Sequence, residues 1–270
     1  MSDTSTLNPI SRLTRDLASA AATLSDDEAR FLVSAYYMMQ EDRKRAYNQE
    51  RALETAEKPH AIVSWLAEQS ETLENQIKRA LDKYTDSHPM GAWMRATVGI
   101  GPVIFAGLLA HIDISKCPTV GHIWSFAGIA GTGQKKWVKG EKRPFNASLK
   151  TLCWKAGQSF MKFSGNENCY YGQVYRKRKE LEVERNEAGL FAEQAAAGTA
   201  RVSKSTEAYK HYAAGKLPPG HIDARARRYA VKLFLAHMHG HWHQLHFGTP
   251  APLPYPVAHM GHVHVIPPPH

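Results

Sequence analysis

A mostly α-helical fold is predicted by three observations on this sequence. Apolar residues recur at three- and four-residue spacing, helix-starting and helix-stopping residues bracket those stretches, and no alternating run of strand-forming residues suffices for a large sheet. At 270 residues and 43% hydrophobic content, the chain can bury a real core in one large domain or two modest ones. Disorder throughout is thereby excluded.

The first helix is expected to follow Ser25, because Ser25-Asp26-Asp27-Glu28 has capping-box spacing: the hydroxyl takes an orphan amide and the glutamate returns the bond. Phe31, Leu32, Ala35, Tyr36 and Met39 carry it forward, a highly charged stretch follows, and Pro59 ends it. A second helix places Ile62, Leu66, Leu73, Ile77, Leu81 and Tyr84 on one stripe before "SHPMG" breaks it. Residues 1–90 are thus read as a helical hairpin or short coiled coil, an N-terminal arm that serves for packing or as a homodimer contact. Residues 91–185 read as a helical core, dense in aromatic and basic residues. Residues 186–248 read as a linker and a C-terminal amphipathic helix with Arg225, Arg227 and Arg228 near its start. Residues 249–270 are too rich in proline for helix and are expected to be an extended Pro/His-rich tail.

Lys and Arg number 34 against 25 acids, a formal charge of +9, which favours a polyanionic partner. Nucleic acid fits first, DNA ahead of RNA. No run of about 18 apolar residues occurs, and no apolar segment follows the charges near residue 15, so neither a span nor a signal peptide is expected and the chain is read as cytoplasmic, with no membrane partner. Cys117, Cys153 and Cys169 are odd in number and widely spaced, which reads as reduced thiols. Phosphate-loop, nucleophile-elbow, His-Glu-x-x-His and dinucleotide fingerprints are all absent.

Val98-Gly99-Ile100-Gly101 fits the hairpin of a helix-hairpin-helix element. There the amides of Gly99, Ile100 and Gly101 would face a phosphate, helped by the positive end of a helix opened by Pro102. The same pattern also makes a plain tight turn. A second helix is predicted through "TVGHIWSFAGI", followed by a loop in which Lys135, Lys136, Lys139, Lys142, Arg143 and Lys150 face only Glu141. Trp137 and Phe145 lie inside this run, placed either to stack on bases while the cations neutralise phosphates or to anchor the loop to the core.

The order of glycine hairpin, apolar helix, "DISKCPT", "SFAGIAG", basic loop and a helix led by Asn146, over about residues 93 to 165, resembles the C-terminal domain of transposases of the insertion-sequence one-ten family, the DEDD transposases or bridge recombinases. The resemblance implies a largely helical domain that binds DNA and guide RNA and carries a serine nucleophile near the basic loop. In that family a RuvC-like N-terminal domain supplies four metal-binding acids through a joining coiled coil. Residues 1 to 90 read as helices without those acids, and Thr132-Gly133 stands where the family has serine before glycine. The expectation is therefore a DNA-binding protein of a mobile genetic element without autonomous cleavage. The alternatives are an active recombinase using Thr132 as nucleophile with acids from a partner, and an interaction protein using the basic face for protein contacts.

Nine of the fifteen histidines fall after residue 236. On a helix, His237/His241 and His239/His243 are i,i+4 pairs able to share a zinc ion, although the reading requires no cofactor. The other reading makes them surface or hydrogen-bonded groups that gain charge near pH 6; on either reading, DNA binding is expected to tighten as pH falls.

Overall fold

The computed structural model describes residues 19–131, 137–259 and 265–269, and all regular structure among them is helical. The chain divides into two compact units: one runs up to Arg95 and includes Gly101–Asp113, the other comprises Ala96–Ile100 and the chain from Ile114 onward.

The first unit is built on α1 (Asp26–Thr55) and α2 (Ala61–Ser87). Ser25 caps α1 as the sequence predicts: its hydroxyl accepts the Glu28 amide at 3.3 Å, and Glu28 takes the Ser25 amide at 2.8 Å. Cross-helix bonds run in opposite order along the two helices, Tyr84 to Asp26, Arg43 to Glu74 and Tyr47 to Glu71, so the pair is an antiparallel hairpin. Buried Glu74 receives Arg43 Nε at 2.6 Å and Gln40 at 3.2 Å; burial opposes its charge, yet these donors and Tyr36 hold the carboxyl below its ordinary range. Leu81 and Tyr84 are buried, as their stripe requires. Ile62 and Leu66, at its other end near the hairpin tip, are 66% and 51% exposed. After the short α3 (Gly91–Ala96), α4 (Pro102–His111) packs against both α1 and α2. It is buried from Phe105 to Ala110, since it is apolar nearly all round.

The second unit contains α5 (Val120–Phe126), α6 (Ala147–Lys162), α7 (Tyr170–Glu187), α8 (Ala192–Thr199), α9 (Glu207–Ala213), α10 (Pro219–Phe247) and one turn, α11 (Tyr255–His259). α10 is its spine and packs on α5, α6 and α7. Phe160, Tyr171 and Phe234, one from each of three helices, bring their ring centroids within 5.2 to 5.5 Å of one another. Such pairs are worth about 0.5–1.5 kcal/mol each beyond the area they bury. Gly157 lets α6 lie close on α10: a Cβ there would sit 3.2 Å from Val231 Cγ2 and 3.4 Å from Arg227 Cβ.

Two stretches are more ordered than their sequence suggests. The expected linker after 186 contains α8 and α9, and its Phe191 and Leu217 form a small core with Ile222 and Tyr212. Asn186 fastens it, its side-chain amide bonding both the N–H of Leu217 at 2.8 Å and its carbonyl at 3.0 Å. α7, which mixes signs like a solvated helix, instead buries Glu182 to 1% exposure, where Arg225 Nε hydrogen-bonds one carboxylate oxygen, Arg178 ion-pairs with the other and Arg185 lies 4.0 Å from it. Arg225 also stacks over Phe191 and Arg178 over Tyr229, so these cations carry packing as well as charge. Gly248, at φ +70°, ends α10 in the left-handed conformation. Beyond α11, Ile266 and Pro267 present carbonyls to His237 and Tyr170. No described helix is long and apolar enough to cross a membrane.

Glu182→Gln leaves the half-buried guanidinium groups of Arg178 and Arg225 without their counter-charge and is expected to cost about 2–3 kcal/mol at pH 7. Despite burial, the arginines hold the Glu182 carboxyl below its ordinary value. Its stabilising contribution is therefore complete above the unfolded-state value of about 4.3 and is lost as pH falls through the lower folded value. Urea titrations at pH 7 and in acid are expected to show a large wild-type loss and a smaller one in the variant.

Candidate nucleic-acid interface

The basic loop joins α5 to α6, and both of its ends are clamped. The Asn146 N–H donates to the Phe126 carbonyl at 2.8 Å, closing the neck, while the Asn146 side chain accepts the Leu149 amide at 2.9 Å and starts α6. Gly128, at φ +68°, is where Phe145 packs; a Cβ at 128 would come within 2.8 Å of that ring. Lys150 Nζ lies 4.2 Å above the same ring. From the spine, Lys232 donates to the Ala130 carbonyl at 3.2 Å, lies 4.1 Å above the Trp124 ring, and accepts the Trp124 indole N–H on its own carbonyl. Burial, with Arg228 nearby, lowers the pKa of the Lys232 ammonium. Phe145 is thus an anchor of the neck, one of the two placements its sequence position allowed.

Trp137, Lys139, Lys142 and Arg143 are exposed on the loop. The Trp137 indole donates to the Glu141 carbonyl at 2.8 Å, and the Arg143 guanidinium stacks 5.3 Å from the Trp137 ring. Thr132, Lys135 and Lys136 lie outside the described residues. Between 114 and 166 the sequence has nine Lys or Arg against one acid, Glu141, and after Asp223 it has no acid at all. Among the described residues Lys139, Lys142, Lys150 and Arg228 are exposed and have no carboxylate partner, in contrast to Lys210 and Lys216, which pair with Glu207 and Glu187.

Beside the neck, the face of α6 that carries Lys150, Trp154 and Gly157 meets the face of α10 that carries Ala224, Arg227, Arg228 and Val231. Between them is a cavity of about 180 Å³, closed further by Ile129 and Cys153. Burial pushes the Cys153 thiol up to about 12, so it lines the cavity as a neutral apolar group. Arg227 Nε is held by Asp223 at 2.7 Å. Sequence patterning passed over Trp154; its one signal is a large apolar residue one turn after Lys150 on a helix whose core face lies elsewhere.

In the glycine bend, Gly99 has φ +98°, which side-chain-bearing residues rarely adopt, and a Cβ there would lie 2.8 Å from Cys169 Sγ. Ser159 donates its hydroxyl to the Gly99 carbonyl and the Cys169 thiol donates to the Val98 carbonyl at 3.2 Å, so α6 and the start of α7 fasten the bend. The Ile100 side chain is buried and its N–H is turned to the Thr97 carbonyl at 3.4 Å, closing the turn instead of facing a phosphate. Gly101 is exposed at φ −97° and precedes Pro102 at the start of α4. Gly99→Ala is expected to destabilise the protein by about 1–3 kcal/mol in chemical denaturation. Gly101→Ala, whose Cβ meets nothing within 4 Å, is expected to cost less than about 1 kcal/mol.

The helical histidines are committed to separate partners. His237 lies between the Tyr171 hydroxyl at 2.9 Å and the Ile266 carbonyl at 2.8 Å. His239 Nε2 bonds the Cys117 carbonyl at 2.7 Å, and His243 Nδ1 the Thr249 carbonyl at 3.0 Å. His241 is exposed. Among the described residues no group of three or more His, Cys, Asp or Glu is placed to hold a metal ion, so the zinc reading of these four residues finds no ligand set there. His239 gains charge less readily than a free imidazole: burial foremost, with His243 and His122 nearby, lowers its pKa, outweighing its bond to Cys117. Its neutral form is the stabilising one, so stability is lost as pH falls below the unfolded-state value of about 6.5. In His239→Gln, which keeps a donor for Cys117, the drop in unfolding free energy between pH 7 and pH 5.5 is expected to shrink.

No protein-family model, curated protein or solved structure matches the chain.

Proposed function

We propose that this chain binds DNA with little sequence readout, as a protein of a mobile genetic element related to the C-terminal domain of insertion-sequence one-ten family transposases. One observation carries the reading: Lys139, Lys142, Lys150 and Arg228 stand exposed, without carboxylate partners among the described residues, at a loop clamped on both sides. Unpaired cations on a fixed support displace condensed counterions from a phosphate chain with little ordering cost. Arg143 stacked on Trp137 adds a flat, charged surface for a sugar or an exposed base. Lys135 and Lys136 extend the same run in sequence.

The test is the salt dependence of binding to a mixed-sequence duplex, followed by fluorescence anisotropy. Five phosphate contacts give a slope of log affinity against log salt of roughly −4 to −5, and the triple variant Lys139→Ala, Lys142→Ala, Arg143→Ala is expected to reduce it by about 3. An unchanged slope would remove the loop from the interface. An RNA duplex of the same length, titrated in parallel, is expected to bind more weakly; tighter binding would reassign the polymer.

A further inference from the structure

The cavity between α6 and α10 is a consequence of small residues. Gly157 brings the two helices into contact, and one turn away Ala224 leaves the space that a larger side chain would fill. Its walls are Ile129, Cys153, Gly157, Ala224 and Val231, with Arg227, already paired with Asp223, on one side, and no carboxylate lines it. At about 180 Å³ it is smaller than the roughly 300–1,000 Å³ of sites that enclose drug-sized ligands, and suits a single planar ring system. Trp154, 58% exposed, lines this space with a face that no other ring covers among the described residues. Lys150 and Arg228 are exposed beside it, four residues beyond the loop neck in one case and on the spine in the other. An apolar slot, a bare indole and two flanking cations together match one unit of a polynucleotide: a flat base between phosphates. A free nucleotide is a poorer match, because the one cation in the slot wall, Arg227, is already held by Asp223 and no set of donors there would surround its phosphates.

We infer that this cavity receives one unpaired nucleobase of the bound DNA, stacked on Trp154, with Lys150 and Arg228 holding the phosphates on either side. The inference rests on the DNA-binding reading above. Stacking is tolerant of base identity, so the pocket selects for the absence of pairing and not for sequence.

The test compares a duplex of about 30 base pairs with the same duplex carrying one bulged adenine, using the full chain at fixed salt. Wild type is expected to bind the bulged duplex about tenfold more tightly, the lower range of what one base–aromatic stack supplies. Trp154→Ala is expected to abolish that preference while leaving affinity for the paired duplex within about twofold. Ala224→Leu, which fills the slot and keeps the indole, is expected to do the same, and circular dichroism checks that both variants fold. Equal wild-type affinity for the two duplexes would overturn the pocket, as would a Trp154→Ala variant that weakens both alike. In either case the salt-dependent binding of paired DNA would still stand. Failure of wild type to bind either duplex would overturn the DNA-binding reading and the pocket with it.

Discussion

The close crossing of α6 on α10 at Gly157 is the constraint on which the second unit depends. With no side chain at 157, the helices approach until Val231 and Arg227 are neighbours of the glycine backbone. Phe160, one turn further along α6, can then reach Phe234 on α10 and Tyr171 on α7, and this aromatic trio locks three helices together. In the other direction along α6, the same geometry carries Trp154 and Lys150 over Arg228. One glycine therefore serves two ends: it deepens the core on one side and opens a slot on the other. The floor of the slot is therefore set by the packing of the two helices.

α10 disposes of four cations within eight residues, each according to its angular position. Arg225 turns to the buried Glu182, Arg227 to Asp223, Lys232 to the loop neck beneath Trp124, and Arg228 to solvent. The first three are structural, because their charge is balanced or their stem is packed. Net positive charge alone does not separate these cases; the 100° step of a helix does, once it is known which face is buried. Asp223 deals with more than Arg227, since Tyr175 and Lys179 also bond it, and burial is outweighed so that its carboxyl stays below the ordinary range.

Legibility in the sequence followed the range of the interactions. Local signals read correctly: Ser25 and Glu28 three residues apart, Asn146 heading α6, and proline after α1. Stripes were legible in period but not in extent, since whether Ile62 and Leu66 are covered depends on what α1 offers opposite them. Burial of Glu182 was invisible because its partners lie on two helices, and Arg225 is more than forty residues away. The order of the stretch after 186 rests on one asparagine, Asn186, reaching thirty-one residues along the chain to Leu217. Of the candidate site, the basic loop was legible as charge, whereas the slot beside it required the crossing angle and distance of two helices far apart in sequence. The histidines illustrate the limit of spacing: i,i+4 pairs fit shared ligation and separate hydrogen bonds alike, and His237, His239 and His243 each answer a different carbonyl.

The closed neck has a consequence for how such a protein diversifies. Because Asn146 is bonded to Phe126 and Phe145 is seated on Gly128, the intervening segment begins and ends at nearly the same point, like a ring set in a fixed mount. Length and composition between those two points can drift without disturbing where α5 stops or α6 starts, since loop closure grows only slowly in cost as residues are added. Substitutions within the charged segment can thereby alter its surface while the helices on either side keep their places.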